Sequence, residues 1–183
     1  MKKLLTLIGI AAVSLAYSQG IFIINNYSGY DFHGSLSANN FAGGCYPYVH
    51  ALNPATIIAP AYSNMGNSNA IIYKNYRDQY TDSLFPITQW SVTTSPTNTQ
   101  PRAWNHAAVM PGGTVANNTT WSATKFQMYF AGTNTPETFF NGNVGNNANP
   151  CVLIDNLITT PYGTAEWFTI TTGTTVTTFL EIH

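Results

Sequence analysis

The sequence predicts an all-β protein, folded as a single-domain β-sandwich with long loops rich in Asn, Gly and Pro. Three observations support this prediction. Short stretches alternate between apolar and polar residues, which is typical of half-buried strands. Fourteen Gly and ten Pro residues interrupt the chain and leave little room for a long helix. Thr and aromatic residues, which suit pleated surfaces, are abundant. The sandwich is expected to be antiparallel, and both a jelly-roll and an immunoglobulin-like strand order fit the pattern.

The first eighteen residues have the features of a secretory signal rather than of a folded element. Lys2 and Lys3 form a short basic region, an apolar stretch follows to Ala16, and Ser18 completes a pair of small residues at a peptidase site. We therefore expect cleavage after residue 18 and one domain over residues 19–183. The apolar stretch is too short for a membrane span, and no later segment is long enough. These features predict a secreted or extracellular protein, or one in the periplasm or on the outer surface.

The strands predicted in the first third of the chain are the best defined. Residues 21–24 form a short apolar run of the kind found in buried strands. Residues 30–37 alternate with period two, so the polar side chains, including Asp31 and His33, lie on one face. Residues 46–52 are predicted as another strand, which ends at Asn53 and Pro54.

The rest of the chain is predicted from shorter signals. Brief apolar runs such as TIIA, AIIYKNY and TQWSVTT lie between Pro and Gly residues, with at most one or two helical turns near residues 73–83. TKFQMYFAG alternates weakly, FFNGNVGNNANP is predicted as a loop, and CVLIDNLIT is predicted as a core strand. The C-terminus is predicted as two strands around Thr172 and Gly173, with Val176, Thr178, Leu180 and Ile182 on one face.

The charge content excludes two classes of partner. Charged residues make up 7% of the chain, where about 25% is typical. Removal of the signal leaves four basic residues against seven acidic ones. Because no basic patch exists, neither nucleic acid nor an anionic membrane surface is expected as a partner.

Cys45 and Cys151 remain after the signal. In an oxidising compartment the simplest interpretation is one disulfide between them. Two free thiols, or a catalytic cysteine assisted by His50, are the alternatives.

A metal or catalytic centre is not favoured by the distribution of ionisable residues. Asp31 and His33 have a suitable spacing, but a metal site needs three or four ligands. The remaining imidazoles belong to His50, His106 and His183, and no H-x-H or H-E-x-x-H motif occurs. We therefore expect Asp31 and His33 to form part of a solvated strand face, with no metal and no cofactor.

Paired carboxylates for glycoside hydrolysis are also not evident. Asp78 and Asp82 are the closest pair, and they lie among Lys74 and Arg77 in a pattern typical of solvent-facing ion pairs. Whether the protein is an enzyme stays open at this point, with a non-enzymatic role favoured.

The best candidate ligand site is the Pro-flanked stretch QPRAWNHAA, which is predicted as a loop. Trp104 is predicted as an exposed platform there, with Arg102, Asn105 and His106 beside it. An aromatic ring can stack on a sugar while neighbouring polar groups bind its hydroxyls. The sequence therefore predicts a non-enzymatic binding or surface-interaction protein, with an extracellular glycan or another cell-surface ligand as partner.

Two other functions fit the sequence. A low-charge β protein can self-associate through its sheet edges, and the strand at residues 21–24 could pair with a neighbour in a structural or adhesive assembly. A small secreted hydrolase using Asp31, His33 or His106 is the third possibility.

Overall fold

The computed structural model describes residues 20–77 and 83–183. The predicted signal at residues 1–18 lies outside the described residues, as do Asp78 and Asp82 of the charged cluster. Both interpretations therefore stay predictions.

The described residues form twelve strands and two short 3₁₀ turns. The turns are Met65–Asn67 and Ala116–Asn118, and residues 75–77 are helical. The strands are β1 (Ile21–Asn26), β2 (Tyr30–Asn40), β3 (Cys45–Asn53), β4 (Ile57–Ala59), β5 (Ile71–Lys74), β6 (Gln89–Ser95), β7 (Asn98–Ala103), β8 (Thr120–Phe130), β9 (Pro136–Gly145), β10 (Leu157–Thr160), β11 (Gly163–Thr172) and β12 (Thr175–Ile182).

Two sheets pack against each other, which confirms the all-β sandwich. The five-stranded sheet has the order β10-β11-β12-β1-β5. The seven-stranded sheet has the order β7-β6-β3-β2-β8-β9, and β4 pairs with β2 beyond the end of β3. The pairs are antiparallel except for β1 with β12, which run parallel. Because β1 is paired on both sides, with β12 and β5, it has no free edge to offer a neighbour.

The core between the sheets is built around aromatic rings. Trp90 and Trp121 from the larger sheet and Trp167 and Phe22 from the smaller one are at most 1% exposed. The Phe22 ring lies 4.9 Å from Trp167 and 5.7 Å from Trp121, between ring centroids. Side chains at alternating positions of each strand point into this core, so the positions between them form the outer faces of the sheets.

Cys45 and Cys151 are joined by a disulfide, which confirms the predicted bridge and leaves no free cysteine for catalysis. Cys45 begins β3, and Cys151 lies in the segment between β9 and β10. The two Cα atoms are 5.5 Å apart. The bridge therefore holds the segment of residues 146–156 against the β3 end of the seven-stranded sheet.

Two segment predictions in this region were wrong. The stretch CVLIDNLIT is not a core strand: residues 151–156 form a loop, only Leu157–Thr160 is strand, and Leu153 is fully exposed. Conversely, most of the predicted Asn/Gly loop belongs to β9, where Phe140 and Val144 point into the core. The first error arose because an apolar run gives no information on which neighbours cover it. The second arose because Asn and Gly are tolerated on β9, which is an edge strand.

No helix among residues 20–77 and 83–183 is long and apolar enough to cross a membrane.

Candidate functional site

The outer face of the seven-stranded sheet carries an open groove along β2. Two adjoining depressions, of about 410 and 590 Å³, share Ser35 and Lys125 and together run along the strand. We call this feature the β2 groove and define it by the outward side chains of three neighbouring strands, which are His33, Ser35, Ser37, His50, Lys125 and Tyr129.

Strand register arranges the groove in successive rows. His33 is the Cα partner of Gln127, Ser35 the partner of Lys125, and Ser37 the partner of both Ala123 and His50. Residues two apart on a strand are about 7 Å apart and share a face. Lys125 therefore occupies the middle row, between the row of His33 and the row of His50.

Aromatic rings lie at each end of the groove. At one end the imidazole of His33 lies 4.1 Å from the ring of Tyr129, between centroids, with an interplanar angle of 31°. At the other end Tyr48 lies 5.6 Å from His50 on the same strand. All four rings are partly accessible to solvent. Such rings present flat apolar surfaces with a polar group at the edge, which suits a ligand that is apolar on one face and polar at its rim.

The ends of the groove have different borders. Thr56 and Ile58 border the His33 end. Val152, Leu153 and Ile154, in the loop held by the disulfide, border the His50 end. Large apolar side chains that stay exposed beside a polar groove mark a surface suited to contact with another molecule.

Burial keeps the two histidines of the groove neutral near neutral pH. Desolvation lowers the pKa of His33 below 6.5, although the negative charge of Asp31 partly opposes the shift. Desolvation also lowers the pKa of His50 below 6.5. The Nδ1 atom of His50 is buried and has no hydrogen-bond partner in the structure, so no protein group fixes the tautomer of this ring.

Lys125 is the one lysine in the described lining of the groove, which contains no Arg, Asp or Glu. Its ammonium group makes no ion pair or hydrogen bond with the described residues. Ser35 and Asn143, its Cα partners on β2 and β9, are both uncharged.

Asp31 also lies on β2, two residues before His33, but its carboxylate has a structural role. Oδ1 accepts a hydrogen bond from the backbone N–H of Ala61 at 2.8 Å, and Oδ2 accepts one from Gly132 at 2.8 Å. The structure gives no hydrogen bond between Asp31 and His33. Asp31 thus joins two loops at the end of the sheet, and the pair does not have the geometry of an acid/base dyad.

The predicted ligand segment around Trp104 lies elsewhere. It follows β7, the edge strand, and β6 and β3 separate β7 from β2. Trp104 is partly buried and is the most exposed of the four tryptophans, while Asn105 and His106 are exposed. The backbone N–H of Trp104 donates a hydrogen bond to the carbonyl oxygen of Thr88 at 3.1 Å. The structure therefore keeps these residues together but places them outside the β2 groove.

One detail of this segment differs from the prediction of a loop. Residues 98–103, including Pro101 and the partly buried Arg102, form β7. Pro101 is accepted because an edge strand has one side without partners. His106 has a local role as well, since its Nδ1 accepts a hydrogen bond from the backbone N–H of Ala108 at 3.2 Å.

Within the described part of the chain, no three His, Cys, Asp or Glu residues come together as a metal site. His33 was predicted from sequence to lie on a solvated strand face, but its neighbours in the groove were not predicted. Alternation places Ser35 and Ser37 on the same face as His33, which is the one signal that sequence offers. His50 comes from the next strand, and Lys125 and Tyr129 come from the distant strand β8, so strand pairing is needed to bring all three there.

These features define a β-sandwich with an open, largely uncharged groove across one sheet. Comparisons with protein-family models, with curated proteins and with solved structures found no significant match to the chain.

Proposed function

We propose that this chain is a secreted, non-enzymatic glycan-binding protein and that the β2 groove is its binding surface. The observation that carries the proposal is the combination, on one open sheet face, of partly exposed rings at both ends and uncharged polar side chains between them.

The chemistry of the groove matches that of a sugar chain. Ring faces bury the C–H faces of sugars, and hydroxyl and amide groups exchange hydrogen bonds with sugar hydroxyls. Ser35 and Asn143 supply such groups along the groove. The groove is open rather than enclosed, so an extended chain could lie along β2 with both ends free.

Binding is favoured over hydrolysis by the residues that line the groove. Glycoside hydrolysis generally uses two carboxylates on either side of the scissile bond. The described lining of the groove contains neither Asp nor Glu. Asp31, the acid next along β2, has both oxygens engaged by backbone N–H groups.

An extracellular location is part of the proposal. The disulfide between Cys45 and Cys151 is of a kind that persists in oxidising compartments. The signal-like residues 1–18 support the same location.

The test is a glycan array probed with residues 19–183, followed by calorimetry on each hit. Calorimetry is the better readout because Trp90, Trp121 and Trp167 are buried in the core and Trp104 lies outside the groove. Tyr129→Ala should weaken binding about threefold to tenfold through loss of the ring contact.

Two controls locate the site. Tyr162→Ala removes an exposed tyrosine in the turn between β10 and β11, which stacks on Phe139 and does not line the groove, and it should leave affinity unchanged. Trp104→Ala should also leave affinity unchanged. Loss of binding in Trp104→Ala but not in Tyr129→Ala would move the site to residues 102–106, and the absence of any hit would contradict glycan binding.

A further inference from the structure

We infer that the β2 groove is selective for an anionic glycan, and that Lys125 binds the carboxylate or sulfate group of the sugar. This inference rests on the proposed function and specifies the ligand class of the same groove.

Lys125 lies in the middle row of the groove. Its Cα partners are Ser35 on β2 and Asn143 on β9, so the row on which it lies has neutral polar groups on both sides of the cation. The preceding and following rows contain His33 and His50, each about 7 Å away along the strands. A sugar lying along β2 would therefore pass the ammonium group at the midpoint of the groove.

The described residues of the protein provide no counter-ion for Lys125. No acidic side chain lines the groove in the described part of the chain, and Lys125 has no ion-pair partner there. Asp31 could have served, but its two oxygens accept hydrogen bonds from Ala61 and Gly132. The charge of Lys125 is thus available to a ligand.

Charged residues are scarce in the chain as a whole. Only 7% of all residues are charged, and the exposed polar surface is built mainly from Asn, Thr and Ser. A single cation in the middle of an uncharged groove makes a hydrogen bond in which both partners are charged with an anionic sugar, and one in which only the donor is charged with the hydroxyl of a neutral sugar. Lys125 therefore provides discrimination between sugars, whereas the rings and hydroxyls provide contacts common to both.

The experiment compares an anionic ligand with its neutral methyl ester. Tetragalacturonate and its methyl ester share one backbone, and calorimetry measures each against the protein of residues 19–183. The acid should bind about tenfold more tightly than the ester, as expected for one charge-assisted hydrogen bond. A sulfated dextran and unmodified dextran form the second pair, and the pair whose preference for the anionic ligand is lost in Lys125→Gln identifies carboxylate or sulfate as the group bound.

Variants then attribute the selectivity to Lys125. Lys125→Gln should weaken the anionic ligand about tenfold and leave the neutral one within about twofold. Lys125→Arg should retain the preference. Lys74→Gln, a change to an exposed lysine on the other sheet, should behave as wild type.

The outcomes separate this inference from the proposed function. Equal affinity for acid and ester, or an unchanged preference in Lys125→Gln, overturns the selectivity of Lys125 while binding of the glycan stands. If only neutral glycans from the array bind, the selectivity of Lys125 is likewise overturned while glycan binding stands. If neither charged nor neutral glycans bind, both the inference and the proposed function fail.

Discussion

The imidazole of His33 on β2 lies against the ring of Tyr129 on β8, with 4.1 Å between the centroids. The two residues are on neighbouring strands, and Tyr129 is opposite Asp31 in the register. The pair of His33 and Tyr129 forms one end of the β2 groove, and its orientation depends on a cross-strand contact that is absent from either strand alone.

Loss of the His33 ring is expected to weaken ligand binding while the fold is retained. His33 is partly exposed, and no hydrogen bond from its side chain is needed elsewhere in the described structure. His33→Ala should lower affinity about threefold through loss of stacking. His33→Phe keeps an aromatic ring against Tyr129 and should restore most of the affinity. Calorimetry with an array hit measures both variants, and equal loss in both would show that the imidazole nitrogens, not the stack, are required.

Acidification should lower the stability of the fold before the carboxylates titrate. Desolvation places the pKa of His50 below the 6.5 of an exposed histidine, so the unfolded chain takes up this proton first as the pH falls. The groups facing His50 are Tyr48 on β3, Ser37 on β2 and Ser91 on β6, and none is charged near neutral pH.

The expected result is a shallow decrease in the free energy of unfolding that begins as the pH falls through about 6.5. Urea denaturation across this range measures it, with His50→Gln as the control in which the slope becomes smaller. A free energy that rises as the pH falls from 7 to about 5.5 would contradict the buried, neutral state of His50.

Reduction of the disulfide should destabilise the protein and alter the groove border. The bridge joins residues separated by 106 positions, and closure of a loop of that size corresponds to about 4–5 kcal/mol in the chain-entropy model. Cys45→Ser with Cys151→Ser should therefore show a much lower urea midpoint than the oxidised protein. It should also bind glycan more weakly, because the segment with Val152 and Leu153 is no longer held at the groove. An unchanged midpoint would mean that the unfolded chain gains no freedom from removal of the bridge.

Asp31 is expected to contribute to stability rather than to chemistry. Asp31→Ala removes the acceptor for two backbone N–H groups and should cost about 2 kcal/mol in unfolding free energy. Asp31→Asn keeps one carbonyl oxygen and should cost roughly half as much. Chemical denaturation gives both values. If Asp31→Ala has wild-type stability, the hydrogen bonds to Ala61 and Gly132 do not stabilise the loops.

Alternation in the sequence was sufficient to predict the strands that have one buried face. β2 and β12 follow the expected period, with Leu36 and Leu180 in the core and Ser35 and Glu181 on the outer faces. The disulfide was predicted because only Cys45 was available to pair with Cys151.

The prediction failed where a residue type suggests one environment and its neighbours impose another. Leu153 belongs to an apolar run yet is fully exposed, because the disulfide holds its loop on the surface. Pro101 suggested a loop, but the edge strand β7 accommodates it. The β2 groove could not be predicted, since His50 lies beside Ser37 only through the register of β2 with β3, and Lys125 lies beside Ser35 only through pairing with β8, a segment far away in the chain.

The most direct test of the central claim is a ¹H–¹⁵N NMR titration of residues 19–183 with a glycan that binds in the array. If the β2 groove is the binding surface, amide shifts will concentrate on the outer-face positions of β2, β3 and β8, including Ser35, His50 and Lys125. Shifts confined to residues 102–106, or to the five-stranded sheet, would place the ligand elsewhere and contradict the account.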